Sequence, residues 1–341
     1  MKKFVVFFLL LIFSLAFFSC GVTPPTTTEE DPVLSPLFRF QVAYDRSRET
    51  RIEYLPLSDG FFYCHPSESG SVCGFVSPTR SLSSEALLTI SDEPSLLSLI
   101  ETSEDHALVF TKEKAYLLNL KGGGAEEFSL HKNVDYSRVL PYRSLHFLAE
   151  TKDLIVLQSF AMEEPMVLAE KKDLPGFSRL LTTSDDGRLI WYATADENGF
   201  NGIGCFEYGS SRPLKTESFP YQNVQTVAEG KLLFTRILED GSALYLFRDT
   251  LHATASSLTF ATPFDSVTAD PSGRFLATTS SLEDGGTVSA WRFADQSQVF
   301  LHLSEYGNPS PELAFDKDGK TLLIAIGKGK DELLATFSMP D

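Results

Sequence analysis

The sequence offers few residues whose spacing could support catalysis or metal binding. It contains no Gly-x-Ser-x-Gly, His-Glu-x-x-His, phosphate-binding loop or dinucleotide fingerprint. Its six histidines are scattered, without the short spacings of a metal-ligand pair. They are His65, His106, His131, His146, His252 and His302. We therefore expect no bound metal and no cofactor, and we interpret each histidine as a loop or packed residue.

Acidic residues leave one catalytic alternative open, because paired carboxylates can act as general acid and base. Asp185 and Asp186 are adjacent and precede Gly187, which is typical of turn formers. Five other carboxylates could contribute to a hydrolytic centre, although their spacing alone does not define one. They are Glu53, Glu101, Asp105, Asp265 and Glu312.

The cysteines favour structural roles. Cys64 and Cys73 flank a turn over 65–72 and could face each other across a hairpin. In an oxidising compartment such a pair can form a disulfide, and otherwise both are ordinary buried thiols. Cys205 has no nearby cysteine in the sequence, so we interpret it as a small core residue.

The most suggestive candidates for binding lie around prolines that separate β-prone runs. A proline followed closely by an aromatic residue recurs there, and exposed aromatic and Arg side chains are typical interface anchors. The alternative is that these rings fill the gaps between adjacent sheets. The candidate interaction face comprises Tyr142, Arg143, Phe177, Arg179, Tyr221, Phe264, Asp265 and Tyr306.

These loops must be positioned by short β-strands that repeat along the chain. In the clearest unit, 266–293, a turn at 270–273 and another at 283–286 separate three β-prone runs. Similar turns recur 34 to 47 residues apart, ending at Gly60, His106, Asp153, Gly187, Gly230, Gly273 and Gly319. Prolines recur at nearly the same spacing as these turns. They are Pro94, Pro141, Pro175, Pro220, Pro263 and Pro309.

Both series contain one interval of 34 residues in the same part of the chain. A propeller blade takes roughly 40–50 residues, so the spacing predicts seven blades. The short interval predicts that the third blade, about 145–174, lacks or shortens its outer strand.

The unit 266–293 resembles a WD-repeat blade, in which a Pro-Asp-Gly turn precedes an inner strand and Trp-Asp closes the next. The matching positions are the turn 271–273, the run 275–279 and Trp291. The Gly-His pair of that family is absent, and Arg292 stands where Asp is usual. The unit is similar also to the looser propeller repeats of the bacterial periplasm. The resemblance implies an all-β fold, a seven-bladed β-propeller over 37–341.

The two ends of the chain are predicted to meet in the last blade. The seventh unit ends with 332–339 and lacks a fourth run, whereas 37–44 is strand-like and precedes the first unit. We expect 37–44 to supply the missing outer strand, which would close the ring and remove an exposed sheet edge. The alternative is a free N-terminal strand.

The first 36 residues differ from the body. Residues 1–19 combine Lys2 and Lys3 with an apolar run, too short to span a bilayer, and they precede Cys20. This segment resembles a bacterial lipoprotein signal peptide. The resemblance implies cleavage before Cys20, lipid attachment to its sulfur, and location in the cell envelope. The alternatives are ordinary secretion and an uncleaved anchor. Outer-membrane attachment, facing the periplasm or the exterior, is implied where the cell has two membranes. Residues 20–36 are rich in Thr, Pro and Glu and predict a disordered tether.

The charge restricts the class of partner. The formal net charge is −17, which argues against nucleic acid or an anionic lipid surface as a ligand. We therefore expect a lipid-anchored propeller that acts as a non-enzymatic scaffold for an envelope protein or glycan. The alternative is a lactonase- or glycosidase-like propeller hydrolase with carboxylates at the axial channel.

Overall fold

The computed structural model describes most of the body of the chain. The described residues are 35–41, 51–67, 70–77, 88–90, 98–111, 114–142, 146–159, 162–184, 186–210, 212–282, 285–304, 312–328 and 331–340. The predicted signal peptide 1–19 and nearly all of the predicted tether 20–36 lie outside them. Among the described residues, no helix has the length and apolar character needed to cross a bilayer.

The body, Leu34–Asp341, consists of seven antiparallel sheets of four strands each. Blade 1 holds β2 Arg51–Leu55, β3 Gly60–Ser67, β4 Gly70–Val76 and β5 Leu88–Ile90. Blade 2 holds β6 Ser98–Ser103, β7 His106–Phe110, β8 Lys114–Asn119 and β9 Ala125–Ser129. Blade 3 holds β10 Asp135–Pro141, β11 His146–Glu150, β12 Leu154–Ser159 and β13 Met166–Glu170.

A 3-10 turn, Lys171–Asp173, leads from blade 3 into blade 4. Blade 4 holds β14 Phe177–Thr183, β15 Leu189–Asp196, β16 Gly199–Glu207 and β17 Pro213–Ser218. Blade 5 holds β18 Asn223–Ala228, β19 Lys231–Ile237, β20 Ala243–Asp249 and β21 Thr254–Phe260. Blade 6 holds β22 Ser266–Ala269, β23 Phe275–Leu282, β24 Gly285–Arg292 and β25 Gln298–Ser304.

Blade 7 joins the two ends of the chain. It holds β26 Glu312–Phe315, β27 Thr321–Lys328 and β28 Asp331–Ser338, and its fourth strand is β1 Ser35–Gln41. β1 pairs antiparallel with β28, with Ser35 opposite Thr336. The strand therefore lies where the sequence predicts it: its described residues are 35–41, and 42–44 of the predicted range 37–44 lie outside the described residues.

The blades form a ring because each seam between neighbouring sheets is filled by its own apolar cluster. Leu55 and Phe62 of blade 1, for example, pack with Val109 of blade 2. The ring is completed by Phe61 of blade 1, which packs with Leu323 of blade 7. Full burial of one such side chain contributes about 1.5–3 kcal/mol, so packing against its neighbours adds to the stability of each blade. The seven four-stranded sheets and the apolar clusters between them confirm the predicted all-β fold, a seven-bladed propeller.

The turn between the first and second strands of a blade explains the repeated Asp-Gly signal. Gly273 and Gly319 both occupy this turn with positive φ, 75° and 65° respectively. Side chains with a Cβ rarely adopt that conformation, so glycine recurs at this position. In every blade except the third, the predicted turn does join the first two strands.

The prediction that blade 3 lacks or shortens its outer strand is wrong. Its fourth strand β13 is present, and its five residues equal the length of β9. Asp153 lies in the turn between β11 and β12, and Pro141 ends β10 instead of preceding it. The sequence between β10 and β11, 142–145, contains no Asp-Gly signal. In this blade Asp153 therefore does not mark the first turn, and Pro141 does not mark the loop before the first strand. These two misplaced markers produced the interval of 34 residues in each series.

Candidate interaction surfaces

The ring has two faces, because strand direction alternates within each blade. We call the face with the loops that lead into each first strand the loop face, and the opposite one the turn face. Phe177, Tyr221 and Phe264 lie at the loop face, beside the starts of β14, β18 and β22. Tyr142 follows β10 and lies at the turn face. The structure therefore divides the candidate set between two faces. Arg143 and Tyr306 lie outside the described residues.

Tyr221 is packed into the seam between blades 4 and 5. It is 4% exposed, and its ring stacks on Phe200 with 5.2 Å between centroids. Its hydroxyl donates to the carbonyl oxygen of Gly202 at 3.0 Å. Burial raises the pKa of Tyr221 to about 12. Its position matches the gap-filling alternative for these aromatic residues.

Arg179 is a half-buried cation on the first strand of blade 4. Its Nη2 donates to the carbonyl oxygen of Val224 in blade 5 at 2.9 Å, and its guanidinium lies 4.8 Å from the Phe200 ring centroid. Its Nε is buried without an acceptor among the described residues. Burial, and then the neighbouring charge of Arg138, lowers the pKa of Arg179.

Two further basic residues, Arg138 and Lys171, belong to the neighbouring blade 3 or to the turn that follows it. Arg138 on β10 is exposed, and its charge acts on both Asp135 and Arg179. Lys171 is paired with Glu150, at 2.7 Å from Nζ to Oε2. The other Glu150 oxygen accepts the Leu180 amide at 2.8 Å, and this bond links blades 3 and 4.

Two further candidates, Phe177 and Phe264, have partly exposed side chains at the loop face. Phe177 is half-buried, with its ring 5.4 Å from Tyr192. Phe264 is also half-buried, and its amide donates to the Tyr245 hydroxyl at 2.9 Å. Asp265 follows it and is exposed. Asp265 is therefore the described member of the candidate set that is most open to solvent.

The turn face carries an aromatic pair beside a groove. Tyr142 is 5% exposed and its ring stacks on Tyr208 of blade 4, with centroids 5.3 Å apart. Tyr208 itself is 36% exposed. The adjacent residue Glu207 accepts a hydrogen bond from Arg188 Nε at 2.5 Å and lines the groove.

We call this depression, between blades 4 and 5, the turn-face groove. Its volume is about 420 Å³. Leu214 and Leu251 line it and are 59% and 37% exposed, so the groove combines apolar walls with charge. The full lining is Ser184, Asp186, Arg188, Leu189, Glu207, Leu214 and Leu251. Sequence reasoning missed the groove, because Leu214 begins an outer strand in one blade and Leu251 lies in a turn of the next.

The carboxylates considered for a hydrolase are distributed around the ring. Glu101 accepts the amides of Leu57 and Ser58 at 2.7 and 2.5 Å, and so links blade 2 to blade 1. Burial raises the pKa of Glu101, although these hydrogen bonds oppose it. Asp105 pairs with Lys121 at 2.6 Å.

The remaining acidic candidates give no shared centre within the described structure. Glu53 and Asp265 are exposed in blades 1 and 6, and the Glu312 side chain lies outside the description. Among the described side chains, no group of three or more His, Cys, Asp or Glu is arranged to hold a metal ion.

The cysteines of the body are all buried. Cys64 and Cys73 occupy directly opposite positions on β3 and β4, and Cys205 lies alone in β16. Cys20, the predicted lipid attachment site, lies outside the described residues.

Comparison with known proteins shows the fold alone. The chain matches no protein-family description and no curated protein. It is similar in structure to the Dos1 propeller, with a TM-score of 0.53 and 10% identity, over 90% of this chain and 98% of that one. It also matches Hsv2 of Kluyveromyces lactis, with a TM-score of 0.46 and 13% identity, over 69% of this chain and 72% of that one. At 10% identity, the likeness to the Dos1 propeller shows a β-propeller fold and nothing about activity.

Proposed function

We propose that this chain is a lipid-anchored, non-enzymatic scaffold of the bacterial cell envelope, which binds a protein partner through the turn-face groove. The observation that carries the proposal is the exposure of Leu214 and Leu251 on two walls of one concavity. Exposed apolar side chains that lie together within a polar rim are typical of protein interaction sites. The Arg188–Glu207 pair at the rim adds the polar border that interfaces have.

The proposed location rests on the N-terminal segment. A lipid on Cys20 would hold the chain at a membrane, and the tether would separate the ring from it by up to roughly 45 Å in an extended conformation. The net charge of −17 supports solubility at this surface and disfavours anionic ligands. A tethered ring of this kind could present the groove to other envelope proteins.

The test is a matched pair of charge substitutions. Leu214→Glu places a carboxylate on the groove wall, and Val167→Glu does the same on the outer strand of blade 3, where Val167 is 54% exposed. The full chain and both variants are used to capture partners from envelope extracts. We expect the wild type and Val167→Glu to retain a protein that Leu214→Glu loses.

The captured protein is then purified and titrated against each form. Loss of one buried Leu from an interface is worth about 1.5–3 kcal/mol, so Leu214→Glu should weaken binding by at least about 10-fold. Circular dichroism of both variants controls for folding. Equal retention by both variants, or release by soluble glycan instead of by the groove substitution, would reject the groove as the protein-binding site.

A further inference from the structure

Two cysteines in blade 1 are held in contact by the pairing of their strands. Cys64 on β3 and Cys73 on β4 are direct partners in the antiparallel register, and their Sγ atoms lie 2.6 Å apart. β3 and β4 are the two middle strands of the blade, so both sulfurs are fixed from each side by sheet hydrogen bonding. This contact is closer than two non-bonded sulfur atoms normally approach.

The pair lies in the apolar seam between blades 1 and 2. Cys64 is 5% exposed and Cys73 is fully buried, in the same cluster as Phe62 and Leu118. The contact with Cys64, together with burial, raises the pKa of Cys73. A buried thiol that stays protonated is a poor nucleophile and a poor metal ligand, so the surroundings disfavour a catalytic or metal-binding role.

We infer that Cys64 and Cys73 form a structural disulfide across the central strands of the first blade. Formation removes one proton from each thiol and transfers two electrons to a disulfide oxidant. With oxidised glutathione, one thiolate attacks the oxidant and releases one glutathione thiolate. The second cysteine thiolate then attacks the mixed disulfide and releases the other. Because both sulfurs are buried in the folded ring, the exchange takes place while the chain folds.

The first experiment tests whether the disulfide forms, and its result does not depend on where the protein lies in the cell. The full chain is reduced, unfolded and refolded with oxidised or with reduced glutathione, and then alkylated under denaturing conditions and digested with trypsin. One peptide, 52–80, contains both cysteines, because no Lys or Arg lies between Arg51 and Arg80. We expect this peptide from the oxidised sample to be lighter by two hydrogens and to resist alkylation until it is reduced.

Cys205 provides the internal control, because it lies in a different peptide and should be alkylated in both samples. A peptide 52–80 that takes up two alkyl groups after oxidative refolding to the native circular dichroism spectrum would overturn the inference. Pairing of Cys64 or Cys73 with Cys205 would overturn it as well. Reductant should lower the thermal midpoint of wild type and of Cys205→Ala, and should leave that of Cys64→Ala unchanged.

The second experiment rests on the proposed envelope location. The full chain is produced in bacteria beside Leu10→Arg, whose charge within the apolar run should block export. Thiols are alkylated at lysis. We expect an oxidised pair in the wild type and a reduced pair in Leu10→Arg, because the cytosol keeps thiols reduced. A pair that forms on refolding but is reduced in cells would reject the envelope location and leave the disulfide itself standing.

Discussion

Asp270, in the first turn of blade 6, is a buried carboxylate whose removal should destabilise the ring measurably. It is fully buried, and its Oδ1 accepts the amide of Phe275 at 2.6 Å. Its Oδ2 accepts the amide of Ser272 at 3.2 Å and also the Ser272 hydroxyl. The nearest cation is Arg274, with Nε 3.9 Å from Oδ2.

The expected cost follows from the hydrogen bonds that are lost. A hydrogen bond to a charged group contributes about 1.5–3 kcal/mol, and Asp270→Ala removes two such bonds to backbone amides. The free energy of unfolding should therefore fall by about 3–6 kcal/mol. Asp270→Asn keeps a carbonyl oxygen for Phe275 and loses one acceptor, so it should cost about 1–2 kcal/mol.

The measurement is equilibrium unfolding in urea at neutral pH. Tryptophan fluorescence reports the surroundings of Trp291, in the same blade, together with those of Trp191 in blade 4, and far-UV circular dichroism reports the whole ring. Thermal unfolding should agree with the urea result. At about 2 °C per kcal/mol for a domain of this size, Asp270→Ala should lower the midpoint by roughly 6–12 °C.

The control is a carboxylate with similar bonds at the surface. Asp295 Oδ1 accepts the Ser297 amide at 3.0 Å and the Ser297 hydroxyl at 2.6 Å, but its side chain is 55% exposed. Water can replace those bonds, so Asp295→Ala should change stability by little more than the measurement error. If the two Ala substitutions cost the same, burial does not determine the contribution of Asp270, and the reasoning fails.

The remaining predictions concern acid stability and the anchor. Burial would raise the pKa of Glu217, but Lys215 and Arg248 hold it below its usual value of 4.5. The stabilisation is therefore present above about pH 4.5 and is lost as pH falls through the lower folded-state pKa. Comparison of urea unfolding at neutral and acid pH should show a smaller pH effect in Arg248→Met than in wild type, and an equal effect would reject the pair. For the anchor, Cys20→Ala should abolish labelling by radioactive palmitate and move the chain from membranes to the soluble fraction. Unchanged labelling would exclude Cys20 as the lipid site.

The sequence predicted the number of blades because the signals for a blade are local. Gly187, Gly230, Gly273 and Gly319 have positive φ, and each lies in the turn that joins the first two strands of its blade. The same reasoning failed in blade 3, where the first turn has no glycine and a later turn at Asp153 resembles the missing signal. Turn chemistry identifies a turn, but it does not say which two strands the turn joins.

Side-chain exposure could not be predicted in the same way. Tyr221 and Phe264 follow prolines in similar loops, yet Tyr221 is buried in a seam and Phe264 is half-buried against Tyr245. The difference depends on which rings the neighbouring blade contributes. A pattern along one strand does not contain that information.

What the sequence determined by itself was the set of short strands, the turns between them and their count, because backbone preferences act over a few residues. Only the tertiary structure decided the turn-face groove, the place of Arg179 beside Arg138, and the strand register that sets Cys64 directly opposite Cys73. Each depends on the register of strands or on the seam between two blades. The seams are set by packing between segments that are distant in the chain. The register is set by packing as well, because a strand could otherwise pair with its neighbour shifted by one residue.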